Sequence, residues 1–198
     1  MAESFLYLDF ETSGLNPGRH GILQAAWILE KNGTVLHERS FDVQLDAGCD
    51  IALEALQVNH RTFGSLLDGK TVSAMLATLR MDLMDCGVNV GARIKIVGHR
   101  VDFDIGFLKA ANAKHPSGIW SYLDYDGLDT CAMARWLNCL GILKTQDCRL
   151  ETLCNFYGIP IEAHDALQDV KAVYCITKIF KGSLMNMVEA FENAAKIA

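Results

Sequence analysis

Along the first residues of the chain, apolar and polar positions alternate with a period of two. Phe5, Tyr7, Asp9 and Glu11 fall on one face and Leu6, Leu8 and Phe10 on the other, the pattern of a strand. Gly14, Asn16-Pro17-Gly18 and Gly21 mark a turn region before the apolar run from Ile22 to Leu29. Lys31-Asn32-Gly33-Thr34 is a hairpin signal leading into a third strand, Val35 to Leu45. Antiparallel order follows for these three strands. The period then lengthens. Ile51 to Val58 and Val72 to Asp85 carry helical spacing, the second through Val72, Met75, Leu76, Leu79 and Leu83. Lys95 to Gly98 reads as a short buried strand and Val101 to Ala113 as a helix. A polar, aromatic connection through Pro116 and Tyr122 reaches Asp129-Thr130, an N-cap for a helix from Cys131 to Leu140. Leu150 to Tyr157 is helical and stopped by Gly158 and Pro160. Ala166 to Phe180 forms another helix, and Gly182 punctuates it before a final one near Leu184 to Ile197. Leu184, Val188, Phe191 and Ala195 share a face of that last helix, which predicts packing on its own domain.

Three antiparallel strands followed by alternating helix and strand predict a mixed-sheet α/β sandwich. At 198 residues, one full-sized domain is expected, residues 1–182, with residues 183–198 as the C-terminal helix packed on it. The composition, 51% hydrophobic and 21% charged, is enough for a substantial core and excludes wholesale disorder. Met1 to Ser4 lack a basic region and Asp9 and Glu11 interrupt the apolar stretch that follows, so no signal peptide is expected. No run approaches the roughly eighteen apolar residues of a membrane span, which predicts a soluble protein with no membrane partner. The seven cysteines are scattered without a C-x-x-C pair. They argue against zinc ribbons and disulfide frameworks and for a cytoplasmic location, with the thiols as small buried hydrophobes. The formal net charge is −6, which argues against broad phosphate neutralisation on duplex DNA but not against gripping a short strand end.

Chemistry enters with four acids. Asp9 and Glu11 sit two apart at the end of the first strand, so both carboxylates project to one side. Two such charges about 4 Å apart repel by roughly 4 kcal/mol at an effective dielectric near 20, which calls for a cation or a proton. Asp104 heads the apolar stripe Phe107, Leu108, Ala111, and Asp169 heads the stripe Ala172, Val173, Ile176, Phe180; each therefore points inward. His-x4-Asp occurs at His37/Asp42, His99/Asp104 and His164/Asp169. The first lies on a strand, where positions five apart face opposite ways. The non-catalytic alternatives are an edge-strand acid pair and first-turn carboxylates answering the helix dipole. Four such acids suit Mg²⁺ or Mn²⁺, two ions per site, in the arrangement for phosphodiester hydrolysis. Two divalent cations would bring the net charge from −6 to about −2.

Asp9-Phe10-Glu11-Thr12-Ser13-Gly14-Leu15, then Gly98-His99-x3-Phe103-Asp104, then His164-x-Ala166-x2-Asp169 resemble, in order, the three motifs of the DEDDh or DnaQ-like 3′-to-5′ exonuclease family. The resemblance runs from about residue 5 to residue 180. It implies a ribonuclease H-like fold, a mixed five-stranded sheet with helices on both faces, and release of nucleoside 5′-monophosphates from a 3′ end. By motif position, Asp9, Glu11 and Asp169 would hold one metal, with Asp9 bridging to a second that Asp104 supports. His164 would be the general base. Thr12 and Leu15 resemble contacts to the terminal nucleotide and Phe103 a residue flanking the scissile one. Family members often carry Asn where Arg100 stands and a basic residue where Asp165 stands. Arg100 is expected either to contact phosphate or to be solvated; Asp165 either adds repulsion beside Asp169 or caps the helix.

Single-stranded 3′ ends are the expected substrate, DNA slightly ahead of RNA, and the proofreading resemblance adds a DNA polymerase or replication complex as a partner. The rivals are an exoribonuclease trimming RNA 3′ ends or short oligoribonucleotides, and a catalytically silent nucleic-acid or polymerase-associated module. Among the tryptophans, Trp27 and Trp136 fall in buried-strand and helix patterns. Trp120, in a loop, is the base-stacking candidate.

Overall fold

The structure, a computed structural model, describes residues 4–161 and 164–195, with side chains described through Glu189. Strand β1 (Ser4–Thr12) is central, flanked by β2 (Ile22–Lys31) and then β3 (Thr34–Asp42) on one side. On the other side lie β4 (Lys95–Gly98) and β5 (Leu128–Asp129), giving the order β3-β2-β1-β4-β5. The β1–β2 and β2–β3 pairs are antiparallel, the first joined through the turn region 13–21 and the second by the expected hairpin at Asn32-Gly33; β1–β4 and β4–β5 are parallel. Parallel pairs need crossovers. Helices α1 (Leu53–Val58) and α2 (Val72–Asp85) precede β4, and α3 (Asp102–Lys114) leads on to β5. Helices α4 (Thr130–Cys139), α5 (Leu150–Tyr157) and α6 (Ala166–Ala195) follow.

The alternation read from β1 divides the core. Leu6, Leu8 and Phe10 pack with Leu76, Leu79 and Phe107 on the face covered by α2 and α3. Tyr7, Ala26 and Ile28 pack with Val170 and Val173 of α6 on the opposite face. Each fully buried side chain of this size stabilises the fold by about 1.5–3 kcal/mol, so the two faces fix α3 and α6 against the same strand. Asp129 caps α4 by accepting the amides of Cys131 and Ala132, and Gly158 ends α5 in the left-handed conformation at φ 68°.

Three expectations change. The break at Gly182 does not occur: α6 runs unbroken from Ala166 to Ala195. An interior glycine costs only about 1 kcal/mol against alanine, and neither proline nor a cap follows it to stop the helix. From Lys181 to Glu189 its residues are exposed, and the side chains of Phe191 and Ala195, like residue Ile197, lie outside the described ones. The two-residue β5 was hidden in what reads as a connection, being too short to show a period. Among the thiols, all free, Cys86, Cys131 and Cys154 are buried but Cys139 and Cys175 are exposed. No described helix is long and apolar enough to cross a membrane.

Candidate active site

Asp9 and Glu11 project from the last turn of the pleat in β1 toward α6, beside Ala26 and Gln24 of β2. The pairing shifts register between Glu11 and Thr12, a bulge that ends the ladder and re-aims the chain. Buried Ser13 then locks the strand end: its hydroxyl donates to the Asp50 carbonyl at 2.7 Å and accepts the Gly21 amide at 2.9 Å. Asn59 reaches over from the segment after α1 to donate to the Thr12 carbonyl at 2.9 Å. Gly14 is required by close approach, because a Cβ there would lie 2.3 Å from the His20 ring.

Asp104 arrives from the other face. It heads α3, is 3% exposed, and accepts the backbone amide of Phe10, the residue between Asp9 and Glu11, at 2.9 Å. Asp169 arrives on the first turn of α6, where Oδ2 accepts the His164 amide at 3.3 Å. Its Oδ1 is buried and has no hydrogen-bond partner among the described residues. Asp9, Glu11 and Asp169 each offer an oxygen within 4.8 Å of the others. Asp104 stands beside this trio rather than in it.

Electrostatics follow from the crowding. Burial raises Asp9 well above the ordinary carboxylate range, and the charges of Asp104, Asp169, Glu11 and Asp165 raise it further. Burial and then Asp169 lift Glu11 to about 7, partly offset by the positive charge of Arg61. Asp169 also stands at about 7, through burial first and despite the His164 amide. Burial raises Asp104 against the amide of Phe10. A buried oxygen without a donor, among acids that resist ionising together, is what a hard divalent cation would satisfy. The donor set therefore fits Mg²⁺ or Mn²⁺. A second acid cluster, His37, Asp82 and Asp85, is different: the Asp82 carboxylate is already taken by Arg39 through two 3.0 Å bonds and by Trp27 Nε1 at 3.0 Å.

The remaining candidates distribute as follows. His164 is exposed in a left-handed turn, φ 67°, just before α6. His99 belongs elsewhere, its Nδ1 lying 3.0 Å from the Thr130 hydroxyl, which donates to the Gly98 carbonyl. Leu15 is 84% exposed, an apolar side chain presented to solvent. Thr12 is buried with its hydroxyl on the Gly14 carbonyl at 2.8 Å. Phe103 packs on Phe107, ring centroids 4.9 Å apart. Trp120 is stacked on Tyr125, not free-standing, with Lys109 Nζ over both rings. Arg100 is exposed at φ 62° and donates its amide to Asp129. Asp165 does both things expected of it: its Oδ1 accepts the Gln168 amide at 3.1 Å as a cap, while its charge raises Asp169.

Two residues at the site's margin escape sequence reasoning. Gln24 hydrogen-bonds Asp165 and the Ala166 amide; its one sequence signal is being the sole polar residue between Ile22 and Leu29. Arg61 pairs with Asp42 and bears on Glu11 only through tertiary structure.

Residues 6–177 match the model of the RNase_T family, described as exonuclease. The chain belongs to this exonuclease family. It is the DnaQ-like group that the three motifs resemble, and membership makes the chain a nuclease domain. It is 24% identical over 160 residues to the DNA polymerase III PolC-type of Lacticaseibacillus paracasei, a match covering 81% of this chain and 10% of that protein. The PolC-type protein of Pediococcus pentosaceus matches with the same identity and coverage. Among solved structures, E. coli Exonuclease I in complex with a dT13 oligonucleotide superposes with a TM-score of 0.77 at 20% identity, covering 95% of this chain and 43% of that one. The chain thus spans about a tenth of its curated relatives and under half of this structural neighbour. The ribonuclease H-like sheet expected from the motifs is the fold the exonuclease family member shares with it.

Proposed function

We propose that this domain is a divalent-metal-dependent 3′-to-5′ exonuclease acting on single-stranded DNA ends and releasing nucleoside 5′-monophosphates. The observation that carries the reading is the convergence of Asp9, Glu11 and Asp169 within 4.8 Å, with Asp169 Oδ1 buried and unpartnered among the described residues. Asp9, Glu11 and Asp169 would hold Mg²⁺ or Mn²⁺, and Asp104, fixed on the Phe10 amide, would support a second ion. Such ions, when bound, supply a more acidic attacking water and charge stabilisation at the leaving oxygen. His164, exposed on the turn whose amide touches Asp169, is the group to take the water's proton. Leu15 and Phe103 offer apolar surface to the terminal bases, and Thr12 lies where the terminal nucleotide would meet the end of β1.

The single-strand preference is supported by the acidic balance of the chain and by the neighbour crystallised with dT13. PolC-type relatives support a polymerase as partner and proofreading as a setting. The test is digestion of one sequence as 5′-labelled single-stranded DNA, duplex DNA and RNA, with Mn²⁺ and with excess chelator. Stepwise shortening of single-stranded DNA from the 3′ end, abolished by chelator and by Asp9→Ala, is expected. Faster loss of the RNA would assign the domain to RNA ends, and turnover undiminished in chelator would overturn the metal-dependent reading.

A further inference from the structure

Gln24 sits in the β2 register directly beside Glu11. An amide at such a position persists when its donor and its acceptor are both used. Here Oε1 accepts the amide of Ala166, the first residue of α6, at 3.0 Å, and Nε2 donates to Asp165 Oδ2 at 3.3 Å. Asp165 is bound into the same helical turn: its Oδ1 accepts the Gln168 amide and its carbonyl accepts the Asp169 amide at 2.9 Å. Asp169 therefore lies within about one helical turn of both points at which Gln24 grips α6. On the strand side, the grip is made by the register partner of Glu11 itself.

We propose that Gln24 is a positioning residue for the metal site, clamping the head of α6 to β2 and so fixing Asp169 opposite Glu11. The inference rests on the metal-dependent reading above. Glutamine is the residue the clamp needs. A carboxylate at position 24 would accept the Ala166 amide but meet Asp165 with no proton between them. Alanine would leave the Ala166 amide and Asp165 Oδ2 to water. Only a neutral group with one donor and one acceptor spans both.

The chemistry also makes charge and position separable. Gln24→Glu adds a negative charge beside the acids, which by electrostatics alone would tighten Mn²⁺ binding; loss of the clamp would loosen it. In Gln24→Glu/Asp165→Asn the hydrogen bond is re-formed with its polarity reversed, the asparagine donating, and the net charge of the natural chain is restored. Removal of a hydrogen-bonding partner behind metal ligands typically lowers metal affinity or activity by about 10- to 100-fold. The experiment is calorimetric titration of Mn²⁺ into the four proteins, with melting in chelator to establish folding and kcat and KM measured on a single-stranded oligonucleotide. Expected are Mn²⁺ affinities about tenfold or more weaker for Gln24→Ala and Gln24→Glu, with kcat reduced and KM little changed, and recovery in the double variant. Tighter binding by Gln24→Glu, or a double variant no better than it, would overturn the clamp. Natural protein that binds Mn²⁺ but degrades no nucleic acid would overturn the exonuclease reading and leave the clamp standing.

Discussion

At the scale of single residues, the site is a balance between burial and charge. Asp9, Glu11, Asp104 and Asp169 are all raised above the ordinary carboxylate range, and burial is the first cause at each. The two motif histidines divide by environment. His99 is tied to the Thr130 hydroxyl and its pKa is lowered by burial, as befits a group joining β4 to α4. His164 stands in solvent beside Asp169. His164→Ala should therefore lower the single-turnover rate by about 10²- to 10⁴-fold while leaving Mn²⁺ affinity unchanged, whereas His99→Ala should act mainly on melting temperature. A larger loss of rate from His99→Ala, in protein shown to be folded, would reverse the assignment of the base.

At the scale of elements, the junction of β4, α3, β5 and α4 turns on one carboxylate. Asp129 Oδ1 accepts the amides of Arg100, Cys131 and Ala132 at 3.0, 2.8 and 3.3 Å. It thereby caps α4 and holds the turn that delivers Asp104. Arg100 occupies a left-handed conformation in that turn, which costs a non-glycine residue about 1–2 kcal/mol and is best tolerated by asparagine. That is a physical reason for the asparagine family members often carry there. Asp129→Ala should destabilise the domain by about 1–2 kcal/mol, the cost of a lost N-cap, read as a lower denaturation midpoint with unchanged slope. An unchanged midpoint would mean that the turn holds without its cap.

At the scale of the molecule, the raised carboxylates make metal-free stability depend on pH. Because the folded protein holds protons on Glu11 and Asp169 up to about pH 7, while the unfolded chain releases them near 4, the folded state is favoured at low pH. That advantage is lost as pH rises through about 7. In chelator, the melting temperature should fall between pH 5 and pH 8, and the increment gained on adding Mg²⁺ should grow over the same interval. Glu11 is 8% exposed, and its rise from 4.5 to about 7 corresponds to about 3 kcal/mol. Glu11→Gln should flatten the metal-free pH profile by an amount of that order and raise stability at pH 8. A metal-free profile that is flat or rising from pH 5 to 8 would contradict the crowding of acids.

Much of this was legible along the chain because local periodicity is a local property. The alternation in β1 alone puts Asp9 and Glu11 on one side, and the apolar stripes behind Asp104 and Asp169 turn those acids inward whatever else the fold does. The periods also gave α2, β4 and α5 their observed limits, and the hairpin signal set the antiparallel order. What the chain could not reveal is set by contacts between distant segments. β5 exists only because β4 offers it an edge, whereas the run of α6 through Gly182 is a local matter, a weak breaker with no stop signal behind it. Gln24 and Arg61 acquire meaning only when β2 meets α6 and the segment after α1 reaches β3. The sequence alone determined which acids face inward; tertiary packing decided that three of them meet within 4.8 Å, because spacing between segments far apart in the chain is fixed by the shared core, not by any local preference.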